Sequence, residues 1–461
     1  MRIRDLFPAL LLGAVFALRA GADAPPGSAA PGERPALAVV CPAAWRDDVT
    51  PYLKMRGESF AVRFAPLEDI LAAGEGVDAP ERLKRYLFRQ WRDEGLRYAL
   101  LVGDADTLPV RFMVLDRVTT AAFHYAFYAS DLYYADLARD DGTFDDWNRQ
   151  REGFHAGYFG EVRGEHNKVP PINFDAVSYV PELAVGRWPV SNREDLRSVV
   201  AKTVAWEREK RQGPPRAFFV HAGGWVDARD RVGRLADAWS SAGWTVERQF
   251  YGAKPERPSP ATVLASIRKG AEVVIHVGHG TNESWEHCLG PRERDALAAA
   301  ASAIYLSVGC STAHFCAEAP YHAYLDAQGI AHRGTNDGEV FLAPPPPPAA
   351  FQPGRFNSTG LGERLLRMPK GGAVAYIGCN TGAQPCALSL LDGFARRVAD
   401  QPGARLGDVW KEAVTHYWRA ERLADLKPTE SWYPPSVFFQ GMKFMLFGDP
   451  ALSLPAPPRK P

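Results

Sequence analysis

The 461-residue chain lacks several features that commonly assign a protein to a class. It has only six cysteines, at positions 41, 288, 310, 316, 379 and 386, and no CxxC pair. That is too few for a disulfide scaffold in a chain of this length. If one thiol is kept free as a nucleophile, an odd number remains, and Cys379 with Cys386 is the short bridge that the spacing allows. Charge of one sign is also missing: Lys plus Arg is 54 and Asp plus Glu is 54. No net field draws the chain to a phosphate backbone or an anionic lipid surface, so nucleic acid is excluded as an expected partner. Internal repeats are absent, and past the first residues no apolar run is long enough to cross a bilayer. Hydrophobic residues at 46% and charged residues at 23% exclude disordered and collagen-like classes.

The amino terminus is distinctive. Arg2 and Arg4 precede the apolar run Leu6 to Leu18, and small residues follow at Ala20-Gly21-Ala22 and Ala22-Asp23-Ala24. This pattern predicts a signal peptide over 1–24 and a secreted, periplasmic or cell-surface protein. The run falls short of the ~20 residues of a spanning helix, so no stable membrane insertion is expected after cleavage. A flexible spacer rich in Pro, Ala and Gly occupies 25–36.

Beyond it the chain reads as βαβ units. ALAVVC and YALLVGD are buried strands on either side of the amphipathic RLKRYLFRQWRDEG, and ELAVGRWPV precedes a helical run from Arg193 to Lys210. The Gly213-Pro214-Pro215 break divides an N-terminal α/β subdomain, 37–212, from a second, 213–455. There AFFVHAGG, AEVVIHV, IYLSV and GGAVAYIG are strands, and Ser259-Pro260 caps a helix. An irregular stretch at about 317–356, with prolines 344–348, is expected to be an exposed insertion, and 456–461 a tail. Mainly parallel sheets flanked by helices are expected in both subdomains.

AEVVIHV runs into Gly278-His279-Gly280, and AIYLSV into Gly309-Cys310. Loops at the carboxyl ends of neighbouring parallel strands share one crevice, so His279 and Cys310 are expected to meet there. A thiolate nucleophile needs an exposed cysteine and an imidazole that accepts its proton. Gly280 admits close approach of a substrate backbone, and the amides of Gly280 and Cys310 are candidate oxyanion donors, worth about 3–4 kcal/mol each in such sites. Two metal readings accompany this one. His276 and His279 form HxxH with Glu283 and His287 nearby, which suggests a metal-dependent hydrolase, although residues three apart on a strand face opposite ways. Asp136, Asp140 and Asp145, with Asp141 and Asp146 around Gly142, suggest a structural calcium loop of imperfect spacing. No cofactor is required by the thiol reading.

These motifs, in this order, resemble the gingipain family of cysteine peptidases, which is caspase-like (clan CD). YALLVGDADTLPV, PELAVGRWPV, VGHGTNESW, GGAVAYIG and LFGDPALSL are similar to its recurring blocks, and the resemblance spans roughly 37 to 455. It implies a caspase-like α/β fold of two tandem subdomains and an endopeptidase acting on protein or peptide substrates. His279 would be the general acid/base, Cys310 the nucleophile, and the amides of Gly280 and Cys310 the oxyanion hole. Two departures stand out. Where the family places an acidic residue that orients the histidine, this chain has Ala222, Gly223 and Gly224, with Asp227 as the nearest candidate for orienter or specificity pocket. The family's pocket tryptophan is replaced in the region Thr381 to Gln384. A catalytically silent binding or surface-assembly protein is the alternative these departures raise.

Overall fold

The computed structural model describes residues 34–458 apart from 115–126, 149–171, 174, 253–256, 344, 358, 430 and 432. The expected signal peptide, and the spacer up to residue 33, lie outside the described residues. The strands in chain order are β1 (Ala36–Cys41), β2 (Ala61–Pro66), β3 (Leu96–Val102), β4 (Phe112–Val114), β5 (Phe127–Ala129), β6 (Ala184–Trp188) and β7 (Arg216–Gly223). They continue with β8 (Thr245–Phe250), β9 (Val273–Gly278), β10 (Ala303–Val308), β11 (Tyr324–Leu325), β12 (Ala331–His332), β13 (Ala373–Cys379) and β14 (Phe444–Phe447).

Ten of these make one sheet in the order β2-β1-β3-β6-β14-β13-β10-β9-β7-β8. Every residue of β1, β9, β10 and β13 is buried, which explains why these strands read as unbroken apolar runs: both sheet faces are covered. The edge strands β2 and β8 are largely half-exposed and carry Arg63, Glu247 and Arg248, charges that discourage edge-to-edge pairing. The sheet crosses the boundary expected at Gly213, because β14, from the far end of the chain, pairs with both β6 and β13.

Direction matters more than order. β2, β1, β3, β6 and β14 run parallel to one another, as do β13, β10, β9, β7 and β8, but β13 and β14 pair antiparallel. The two sets therefore present their carboxyl ends at opposite edges of the sheet.

Helices begin where the sequence provides caps. Asp78 accepts a hydrogen bond from the Glu81 amide ahead of Ala79–Glu94, Asn192 from Asp195 ahead of Arg193–Arg208, and Ser259 with Thr262 forms a capping box for Pro260–Arg268. Arg193–Arg208 also joins the two strand sets: the Lys202 ammonium, buried, donates to the carbonyls of Leu365, Gly371 and Ala373 at 3.2, 3.4 and 2.9 Å. Among the described residues no helix is long and apolar enough to cross a membrane.

The stretch expected as an exposed insertion is mostly exposed between 327 and 343 but is packed against the body at its two ends. Tyr324, Asp326 and Gln352 are buried, β11 and β12 form a short hairpin, and backbone bonds from Gln352 to Ala105 and from Val110 to Ala350 tie it to the segment after β3. Its polar centre is His332, whose Nδ1 meets Glu339 Oε1 at 2.7 Å and whose Nε2 meets Asp326 Oδ2 at 3.0 Å. With no long run of period-2 or period-3.6 residues, this packing left no signal in the sequence. The Cys379–Cys386 bridge does not form either; all six cysteines are free.

Candidate active site

β9 and β10 are neighbours in register, Val277 opposite Val308, so the segments Gly278-His279-Gly280 and Gly309-Cys310 leave the sheet side by side. Gly280 is required by that closeness: a Cβ there would stand 2.4 Å from Thr312 Cγ2 and 2.8 Å from the Cys310 carbonyl oxygen. Among the described residues, neither the Gly280 amide nor the Cys310 amide has a hydrogen-bond partner. Both lie close together, because the same hypothetical Cβ would be 3.4 Å from Cys310 N. Two neighbouring N–H groups without protein partners are costly in a folded protein unless solvent or a substrate oxygen satisfies them.

Cys310 differs from the other cysteines. It is half-buried, whereas the remaining five are buried. Burial pushes the Cys379 and Cys288 thiols up to about 12 and the Cys386 thiol up to about 11, which keeps them protonated and inert. The Cys310 sulfur accepts a hydrogen bond from the Ala383 amide at 3.3 Å, from the loop after β13.

His279 is half-buried, and its Nε2 donates to the carbonyl of Gly224 at 3.0 Å, which leaves Nδ1 as the free basic nitrogen. Gly224 adopts φ +87°, a conformation that strains any residue with a side chain, and a Cβ there would lie in ordinary contact with the imidazole, 3.6 Å from Cδ2. The Ala-Gly-Gly in place of the family's acidic residue thus supplies a backbone carbonyl. Asp227 does not reach the histidine. Its carboxylate binds Arg229 at 2.9 and 2.8 Å, and that exposed pair, with hydrogen bonding from Tyr251, holds it well below the usual carboxylate range.

His276, the other half of HxxH, points the other way. It is fully buried, stacked on Trp285 with ring centroids 4.5 Å apart, and its Nδ1 meets Ser307 Oγ at 2.9 Å. Burial brings it down to about 3, so it stays neutral. Glu283 faces Arg364 at 3.9 Å and His287 faces Glu286 at 3.5 Å, so the expected metal set does not converge. The calcium candidates do not form one set either. Asp140 is exposed on a turn. Asp136 is buried against Ser178 and the Tyr179 amide, and Asp145 accepts from the Trp147 amide. Beside these two lies the buried Lys84 ammonium, 4.3 Å from the centroid of the Tyr133 ring and 4.7 Å from that of Trp147. Burial lowers Lys84, and Asp145, Asp136 and Glu182 oppose that shift. Among the described residues no group of three or more His, Cys, Asp or Glu side chains is arranged to hold a metal ion.

Residue-type reasoning missed three groups here: the Gly224 carbonyl, the Ala383 amide, and Glu318, whose Oε1 lies 3.4 Å from the hydroxyl of Ser311, the residue after Cys310. The first two are backbone atoms. Their only sequence trace is glycine, or a small residue, just past a strand end.

Residues 30–455 match Peptidase family C25. No match was found among curated proteins. Among solved structures, the chain is similar to that of the Arg-specific cysteine proteinase gingipain R (RGPB), with 15% identity and a TM-score of 0.58 over 91% of this chain and 78% of that one. It is similar to the complex of Porphyromonas gingivalis RgpB pro- and mature domains, with 15% identity and a TM-score of 0.59 over 90% and 79%. It also resembles a structure described as that of a protease, with 13% identity and a TM-score of 0.58 over 91% and 78%. At these identities the likeness to the solved structures is one of fold; the match over nearly the whole chain shows that the protein belongs to peptidase family C25, as a cysteine-type peptidase.

Proposed function

We propose that this protein is an exported cysteine endopeptidase in which Cys310 is the nucleophile and His279 the general acid/base. The observation that carries the reading is the pairing of a half-exposed thiol and imidazole at adjacent strand ends with two unbonded amides beside them. His279 Nδ1 takes the thiol proton, and the sulfur attacks the peptide carbonyl carbon. The carbonyl oxygen becomes an oxyanion that the Gly280 and Cys310 amides bind. The imidazolium then returns the proton to the departing amine, leaving a thioester on Cys310. Water, deprotonated by His279, attacks the thioester and frees the carboxylate and the thiol. The Gly224 carbonyl serves as orienter by fixing the imidazole tautomer.

Specificity follows from Asp227. Its charge is met by Arg229, so a strict requirement for arginine or lysine in the substrate is not expected. Replacement of Cys310 by Ala should abolish turnover of a peptide library and remove the iodoacetamide-reactive thiol. Unchanged cleavage by that variant would refute the assignment, and a wild-type protein showing neither turnover nor a reactive thiol would favour a silent binding role. Export is supported by the Arg2/Arg4 charge and the apolar run after it. An N-terminus mapped near Ala24 in protein recovered outside the cytoplasm is the expected result.

A further inference from the structure

His221 lies in β7, fully buried, two residues before the Gly223-Gly224 turn. Its hydrogen bonds define its tautomer. The Ala228 amide donates to Nε2 at 3.1 Å, so Nε2 is unprotonated. Nδ1 therefore carries the hydrogen and donates to the Val277 carbonyl at 2.9 Å. One neutral ring thus bridges two segments. Val277 is the residue of β9 two positions before His279, and Ala228 closes the loop that carries Gly224. The two bonds clamp the loop whose carbonyl receives His279 Nε2 onto the strand that delivers His279.

The surroundings keep the ring neutral. Burial lowers its affinity for a proton, against weaker opposing effects of the Val277 carbonyl and Asp227. Tyr251 packs edge-on at 5.0 Å and Phe250 at 6.4 Å. The charged groups nearby are Asp227 and Arg229, which bind each other, and His276 behind is itself held neutral. A neutral ring can both donate and accept; a protonated one loses the bond from Ala228.

We infer that His221 is a positioning residue for the dyad: it holds the Gly224 carbonyl against His279 and so sets the tautomer and angle of the catalytic imidazole. This rests on the His279–Cys310 reading and adds to it a role for a residue that touches neither substrate nor sulfur. The loop-side bond carries the effect, because the loop brings Gly224.

Two half-replacements separate the bonds. His221→Gln places an acceptor where Nε2 was and retains the bond from Ala228. His221→Asn places a donor where Nδ1 was and retains only the bond to Val277. His221→Phe keeps the shape and loses both. The measurement is kcat and KM on a peptide substrate, with the rate of Cys310 alkylation by iodoacetamide across pH, on the mature protein. The Phe variant should lose kcat on the order of 10²-fold with KM unchanged, as expected for a misplaced base. Its alkylation profile should differ from the wild-type one. Gln should recover most of the loss and Asn little. A merely structural role would reduce the folded fraction and leave the alkylation profile of the folded protein unmoved. A folded Phe variant with unchanged kcat and profile, or equal losses in Gln and Phe with an unmoved profile, would overturn the inference while leaving the dyad intact. Turnover surviving in Cys310→Ala would overturn both.

Discussion

The two carboxyl edges of the sheet are built alike and finished differently. At the edge formed by β3, β6 and β14, the residues beyond or near the strand ends are charged and locked. Asp104 accepts from the Ala105 amide and pairs with Arg367; Arg187 is held bidentate by Asp131 at 2.8 and 2.7 Å; Asp449 receives Arg56 Nε at 2.8 Å. All of these groups but the half-buried Arg367 are buried. At the opposite edge, formed by β7, β9, β10 and β13, the strand ends run into Gly223-Gly224, Gly278-His279-Gly280 and Gly309-Cys310, and two amides stay unbonded. The lesson is physical. Polar groups at a strand end must be satisfied somewhere, and the edge where two amides have no partner among the described residues is the one where the proposed site lies.

The comparison can be broken at the closed edge first. Arg187→Met leaves Asp131 without its buried partner, and unfolding by urea should show a loss of about 3–5 kcal/mol, with kcat/KM per folded molecule unchanged. Activity lost with no change in stability would place function at the wrong edge. At the open edge, Gly280→Ala pushes a methyl into Thr312 and the Cys310 carbonyl and displaces an oxyanion donor. It should lower kcat/KM per folded molecule on the order of 10²–10³-fold and also lower the thermal midpoint, measured by initial rates and calorimetry.

A smaller effect concerns the insertion. Burial lowers His332, but the bonds from Glu339 and Asp326 outweigh it and raise the group above its usual 6.5. A raised group stabilises fully below pH 6.5 and loses that contribution as pH rises through its folded value. Limited proteolysis between residues 326 and 343 should therefore quicken as pH climbs above that value and slow below 6.5. His332→Gln should flatten the dependence. The smallest effect is a predicted null: with Lys84 as the counter-charge beside Asp136 and Asp145, a chelator should leave the thermal midpoint unchanged, whereas a drop would restore the calcium reading.

Much of this was legible because strands covered on both faces write unbroken apolar runs, as in AFFVHAGG and AEVVIHV, and because glycines flanking a histidine and preceding a cysteine mark a tight strand exit. The opposed directions of the two strand sets were not legible. They depend on where the short FMLF strand β14 inserts, a long-range choice with no local signature. The partner of His279 was illegible for a different reason: a search for acids finds Asp227, which Arg229 two residues later claims, while the group bonded to His279 is a main-chain oxygen that any residue carries. Lys84 was hidden in an amphipathic helix whose pattern gives no hint that one lysine faces inward.

The proposed chemistry occurs on Cys310 at the open edge. Acid quenching of the mature protein during turnover of a peptide substrate, followed by digestion and mass spectrometry, tests it directly. The fragment containing Cys310 should carry the mass of the acyl half of the substrate, and no other fragment should. Turnover with Cys310 unmodified, or an acyl group on a different residue, would contradict it.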